Sequence, residues 1–137
     1  MKKIRVFLDT SIIISYLRNE KSLRNLFSRR VLERVQYIIN PIISQEILLV
    51  AESIREKSLL AQIYKYIKII PLDVDFDKLM RFRNLMVHTN DILIIETATR
   101  ESDYLLTLDR TLLKLNQLRP LEIISPKRFF KLLEEDL

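Results

Sequence analysis

Short apolar runs alternate with amphipathic stretches along the whole chain, and this alternation predicts strands alternating with helices. Ile4–Leu8 reads as a buried strand that ends at Asp9, with Thr10 or Ser11 capping a helix to about Leu17. After a turn at Arg18–Lys21, Ser22 opens a predicted helix with Leu23, Leu26, Phe27, Val31 and Leu32 on one face. Gln36–Asn40 reads as a second strand. Pro41 follows it, and a helix starts near Ser44 and runs to about Arg55, with another beginning at Ser58. Ile67–Leu72 is a third strand, and Asp73 or Asp75 caps a helix to about Val87. His88–Asn90 reads as a loop and cap before an apolar helix from Asp91 to about Ser102. Tyr104–Leu108 is a fourth strand, followed by a short helix around Thr111–Leu115. Leu121–Ile124 is a fifth, and Ser125-Pro126 starts a last helix to about Glu135. The expected fold class is α/β, with a central, mainly parallel five-stranded sheet covered by helices on both faces. No linker or repeat divides residues 1–137, so one domain is expected.

Composition removes most chemistry from consideration. The chain has no cysteine, which excludes disulfides, thiolate metal sites and cysteine nucleophiles. A single histidine, His88, excludes zinc sites that need two or three. The absence of glycine excludes a Walker A loop, a GxGxxG fingerprint and a GxSxG elbow. Asn19, Asn40, Asn84, Asn90 and Asn116 sit between predicted elements, where glycine would normally serve the turn. What survives is a site of Asp and Glu oxygens, which suits hard cations such as Mg²⁺ or Mn²⁺.

Charge is unevenly placed. Residues 1–68 hold 13 Lys and Arg against 6 Asp and Glu, whereas residues 69–137 hold 10 against 12. A basic half fits a polyanionic partner such as nucleic acid, although many basic proteins bind none. The apolar runs are far too short to span a membrane, which makes a cytoplasmic location the simplest expectation.

Four acids recur at strand ends and helix starts: Asp9, Glu46, Asp91 and Asp109. Ligands of open parallel sheets bind beyond the carboxyl ends of the strands, where Asp9 and Asp109 fall. Glu46 and Asp91 each lead into an apolar helix. Each acid also has a structural reading, because a first-turn acid complements the helix dipole and an Asp after a strand is a common turn residue. Spacing alone leaves both readings open.

Val6-Phe7-Leu8-Asp9-Thr10-Ser11 resembles the opening motif of PIN domains. Asn90-Asp91-Ile92-Leu93-Ile94-Ile95-Glu96-Thr97-Ala98 resembles their third motif, and Leu105-Leu106-Thr107-Leu108-Asp109 their fourth. Ser44-Gln45-Glu46-Ile47-Leu48 fits the second. The motifs occur in order along the whole chain, whose length is similar to that of small VapC-like members. The chain departs from these relatives in lacking their glycine before the fourth motif, where Arg100-Glu101-Ser102-Asp103 stands instead. The resemblance implies a PIN-like domain acting as a Mg²⁺- or Mn²⁺-dependent endoribonuclease, the toxin of a toxin–antitoxin pair. It further implies a homodimer inhibited by a small antitoxin protein. Its rivals are a PIN nuclease of RNA maturation, a DNA-directed nuclease of related fold, and an inactive PIN-fold binding module.

Clustered carboxylates repel unless a cation neutralises them. On this reading Asp9, Glu46 and Asp91 are the leading metal ligands, and Asp109 holds a second ion or stands just outside the first. Thr10, Ser11 and Thr107 would orient carboxylates or water. The remaining polar residues have bland expectations. His88 reads as a surface or structural residue, with a phosphate contact as its alternative. Arg110 is either a phosphate contact or an ion-pair partner of Asp109, and Lys114 sits on a solvated face, with a phosphate contact as its alternative. Arg24, Arg29, Arg30 and Arg34 form a solvated face or a nucleic-acid footprint. Tyr16, Phe27, Tyr64 and Tyr66 lie near apolar stripes and read as core or dimer surface, not as base-stacking platforms.

Overall fold

In the computed structural model, residues 2–84, 89–115 and 118–135 are described. Five parallel strands form one sheet in the order β3-β2-β1-β4-β5, with β1 (Ile4–Leu8) in the middle. It pairs with β2 (Val35–Ile39) on one side and β4 (Tyr104–Leu106) on the other. The edges are β3 (Ile67–Ile69) and β5 (Glu122–Ile124). Val6, Phe7 and Leu8 are all fully buried. Successive strand residues point to opposite faces, so both faces of the central strand are covered. That explains why β1 reads as an unbroken apolar run and not as an alternating one.

The flanking helices are α1 (Thr10–Leu17), α2 (Arg29–Leu32), α3 (Pro41–Val50), α4 (Ile54–Ile63), α5 (Phe76–Met80), α6 (Thr89–Glu101), α7 (Arg110–Leu113) and α8 (Pro126–Glu135). Among the described residues, no helix is long and apolar enough to cross a membrane.

Several boundaries differ from the sequence pattern, for local reasons. The helix expected from Ser22 to Leu32 is a 3-10 turn at Lys21–Leu23 and the short α2. Of the apolar positions, Leu23, Leu26 and Val31 are buried, and Phe27 and Leu32 are partly so. However, the carbonyl of Leu26 accepts a 2.8 Å bond from the buried hydroxyl of Tyr37, and Ser28 caps α2 instead. Phe27 packs edge-on between Tyr16 and Tyr37.

Helix α3 starts at Pro41, not Ser44, because Asn40 caps it and proline suits the first helical turn. It stops at Val50, and α4 begins at Ile54 behind a reciprocal Ser53–Glu56 capping box, not at Ser58. Strand β3 is shorter than expected because Pro71 offers no N–H to the ladder. Strand β4 ends at Leu106, short of the expected Leu108, where the Thr107 hydroxyl bonds Asp9 and the Asp109 amide. Helix α5 is capped by Asp75 and ends at Met80; the expected extension to Val87 runs partly outside the described residues.

Of the asparagines read as glycine substitutes, Asn19 alone among the described residues has a positive φ, at 64°. Asn40 is extended at φ −121° and serves as a cap, and Asn116 lies outside the described residues. The segment that replaces the relatives' glycine needs none. There α6 runs to Glu101, and Asp103 accepts bonds from the Arg5 amide and guanidinium at 2.9 and 3.1 Å.

Tyr37 gives a direct test of this packing. Burial raises its hydroxyl well above the ordinary tyrosine range, so it remains a donor. Tyr37→Phe should leave the Leu26 carbonyl buried without that partner and cost about 1–3 kcal/mol in urea unfolding. A change of a few tenths would mean that the bond does not hold the 23–28 segment.

Candidate functional site at the carboxyl end of the sheet

The central strand delivers Asp9 to the carboxyl end of the sheet, where the carboxylate is only 8% exposed. Three polar groups meet it. Thr107 Oγ1 donates to Oδ2 at 2.7 Å and Ser11 Oγ donates to the same oxygen at 3.0 Å. The Thr10 amide also stabilises the charge. Both hydroxyls act twice: Thr107 Oγ1 accepts from the Asp109 amide at 3.0 Å, and Ser11 Oγ from the Leu108 amide at 3.1 Å. Burial outweighs these bonds and, with the nearby charge of Asp109, raises the Asp9 pKa above its ordinary value.

Glu46 projects from the second turn of α3 and is half-buried. Its Oε1 accepts a 3.0 Å bond from Thr10 Oγ1, which links it to the residue beside Asp9. Burial raises its pKa, and the fields of Asp9 and Asp91 push the same way. Asp91 lies in the first turn of α6 and is partly buried. Asp109 is different. It is exposed on the rim and caps α7, with Oδ1 accepting from the amides of Thr111 and Leu112 at 2.8 and 3.4 Å. The structural role expected of a post-strand Asp is therefore present, together with its field at Asp9.

Asp9 thus stands in the field of Asp109, and Glu46 in the fields of Asp9 and Asp91, with Ser11 and Thr107 as hydroxyl contacts of Asp9 and Thr10 as that of Glu46. The donor set consists of carboxylate oxygens and suits a hard cation. Among the described residues, no three acids converge closely enough to enclose an ion by themselves. Arg110 and Lys114 are exposed, and neither forms an ion pair with Asp109. His88 lies outside the described residues. In the arginine cluster, Arg29 pairs with Glu33 at 3.2 Å, and Arg34 donates to the Leu133 carbonyl on α8.

Sequence reasoning missed one residue that shapes the site. Asn40 is fully buried between β2 and α3. Its Oδ1 accepts from the Ile43 amide at 3.2 Å and caps α3. Its Nδ2 donates to Thr97 Oγ1 at 2.9 Å and to the Leu93 carbonyl at 3.2 Å, both on α6. One amide therefore ties the helix carrying Glu46 to the helix carrying Asp91. The Asn-Pro pair marked the cap in the sequence, but the partners on α6 are more than fifty positions away.

Two outcomes follow. Asn40→Ala should remove the cap and orphan buried groups on α6, lowering stability by about 2–4 kcal/mol in denaturant melts. For Asp9, a raised folded-state pKa means that the folded protein binds more protons than the unfolded chain at intermediate pH. Its contribution to stability is therefore lost as pH rises through the raised pKa. In metal-free buffer Asp9→Asn should melt at or above the wild type at neutral pH, with the advantage shrinking toward pH 4. A mutant that is less stable at pH 7 would mean that the carboxylate is stabilised, not strained, by its surroundings.

The comparisons bear on this arrangement. No curated protein matches the chain in sequence. Several solved structures share its fold. VapBC2 from Rickettsia felis, bound to a DNA fragment from its promoter, superposes with a TM-score of 0.67 at 17% identity, over 89% of this chain and 98% of that one. PAE2754 from Pyrobaculum aerophilum gives 0.65 at 14% identity over 96% of each chain. DNA-bound VapBC from Salmonella typhimurium gives 0.64 at 16% identity, over 90% of this chain and 98% of that one. The family model described as PIN domain matches residues 6–118, a span that runs from β1 past Asp109, and the chain belongs to the PIN domain family.

Proposed function

We propose that the protein is a metal-dependent endoribonuclease and the toxin of a toxin–antitoxin pair. The observation that carries this reading is the coupled acid set at the carboxyl end of the sheet, in a chain without cysteine chemistry. Asp9, Glu46 and Asp91 would hold Mg²⁺ or Mn²⁺, directly or through water, and Asp109 would take a second ion or a water of the first. A bound ion there supplies an acidified water and a polarised phosphate oxygen. The protein's own residues prepare the place. Thr107 and Ser11 fix one oxygen of Asp9. Thr10 holds Glu46 against the same corner. Exclusion of water around Asp9 strengthens its attraction for a cation.

The toxin assignment is supported by the likeness in fold to the two VapBC structures, which suggests a small antitoxin as partner. A homodimer is supported by the apolar side chains left exposed on α3 and after it: Leu48 at 70%, Leu49 at 78% and Ile54 at 88%. Faces like these are covered in a stable assembly.

Purified protein should cleave single-stranded RNA with Mn²⁺ or Mg²⁺ and fall silent in EDTA. Asp9→Asn and Asp91→Asn should lose cleavage while remaining folded. Metal at about 100 times its dissociation constant should stabilise the wild type by about 2.7 kcal/mol, and the two variants by less. Equal cleavage in chelator would remove the metal mechanism. A melting curve indifferent to Mn²⁺ would remove the binding site.

Association is tested separately. Light scattering at micromolar concentration should give the mass of two chains, and Leu49→Asp should shift it toward one. A monomeric wild type would leave the α3–α4 face without this role.

A further inference from the structure

The opposite end of the sheet carries the opposite charge. At the amino ends of β2 and β3, a groove of about 340 Å³ is lined by Lys3, Lys65 and Lys68, with Leu32, Val35 and Tyr66 among its other walls. No acidic side chain lines it. The three lysines are exposed, and none of them forms an ion pair among the described residues. Arg5, on the neighbouring strand, differs from them in pairing with Asp103, at 3.1 Å.

Tyr66 is not in the core. It is 49% exposed beside the lysines, at the end of the 3-10 turn that leads into β3. Leu32, Val35 and Ile67 give the groove an apolar floor. Unpaired ammonium groups around an apolar floor with an aromatic ring suit a single-stranded nucleic acid, whose backbone takes the charges and whose bases stack. An acidic peptide would use the lysines but leave the ring and floor without a planar partner.

We propose that this groove is a second contact for the RNA substrate, remote from the acid end, with backbone phosphates on Lys3, Lys65 and Lys68 and a base on Tyr66. The proposal rests on the ribonuclease reading. Strand β1 has five residues and spans about 17 Å at roughly 3.3 Å per residue. A strand rising about 3.4 Å per stacked nucleotide therefore needs more than about five nucleotides to reach both ends. The groove selects for length: long substrates gain affinity from it and very short ones cannot.

The test uses the full chain. A fluorescein-labelled, unstructured 20-nucleotide RNA is titrated in EDTA at several salt concentrations and followed by anisotropy. The Lys3→Ala/Lys65→Ala/Lys68→Ala variant is compared with a control of equal charge change, Lys21→Ala/Lys127→Ala/Lys131→Ala. The groove variant should bind at least about fivefold more weakly. The slope of log affinity against log salt should shrink by about 2, since each lost phosphate contact removes roughly 0.7. The control should stay within twofold of wild type. Tyr66→Ala should weaken binding about fivefold or more, and Tyr66→Phe should retain it, because stacking needs the ring and not the hydroxyl.

With Mn²⁺, the groove variant should raise KM for the 20-nucleotide RNA at unchanged kcat, and leave cleavage of a four-nucleotide RNA as it was. Should the triple variant melt early, Lys65→Ala alone serves, with a slope change of about 0.7. Equal losses in groove and control variants, or an unchanged salt slope, would overturn the proposal. So would a 20-residue polyglutamate that binds as tightly as RNA and loses as much in the groove variant. Binding is read in chelator, so it does not depend on cleavage. Groove-dependent binding without cleavage under any metal would sink the nuclease reading and keep the groove. Metal-dependent cleavage with groove-independent binding would do the reverse.

Discussion

Removing a carboxylate from water is among the costlier things a fold can do, and the arrangement around Asp9 follows from how that cost is met. The residue follows the central strand of the sheet, whose last three residues are fully buried, so its position cannot relax toward solvent without disturbing β1. Two hydroxyls and an amide stabilise the charge, and they come from different parts of the chain: Thr10 and Ser11 from α1, Thr107 from the end of β4. Each hydroxyl, having donated to Asp9, accepts from an amide of the 107–109 segment. The solvation of one buried charge thereby fixes the backbone that carries Asp109. Desolvation still exceeds the stabilising bonds, which leaves a site whose unmet need is positive charge.

The other half of the acid set is organised by a neutral group. Glu46 and Asp91 belong to helices that meet through Asn40, and the fields of Asp9 and Asp91 both reach Glu46. An amide suits this joint, because it can accept from the α3 terminus and donate to α6 at once, whereas a carboxylate could only accept. Thr97, fully buried, completes the joint by donating to the Leu93 carbonyl at 3.2 Å. Repulsion among the acids would drive α3 and α6 apart, and a bond buried from water resists that better than one exposed to it.

The parts legible in the sequence are those in which one physical demand acts along a contiguous segment. The unbroken apolar run of β1 announced a strand covered on both sides. The Ser125-Pro126 start of α8 and the acids at the starts of α6 and α7 were likewise local signals. The parts that failed depend on distant partners. Leu23, Leu26, Phe27 and Val31 have helical spacing and are buried or nearly so, yet the hydroxyl of Tyr37 claims the Leu26 carbonyl and breaks the helix. Asn40 looked like a turn residue because its partners on α6 are invisible to any local window. The Ser53–Glu56 capping box is also a local signal, and it places the start of α4 ahead of Ser58.

Opposite charges at the two ends of one sheet need not interfere. The central strand holds the ends apart by its five residues, or about 17 Å at roughly 3.3 Å each. The Debye length at physiological ionic strength is about 8 Å, so the exposed lysines at the amino end are largely screened from the acids at the other. Within each end the balance differs. Asp9 is buried, keeps a strong local field and is scarcely screened. Lys3, Lys65 and Lys68 are exposed, and their field weakens as salt rises. The protein can therefore carry a net charge of +5, which favours polyanions, and still concentrate negative charge at one spot. A parallel sheet makes this separation straightforward, because every strand points the same way and its two ends can be given different chemistry by the loops that enter and leave it.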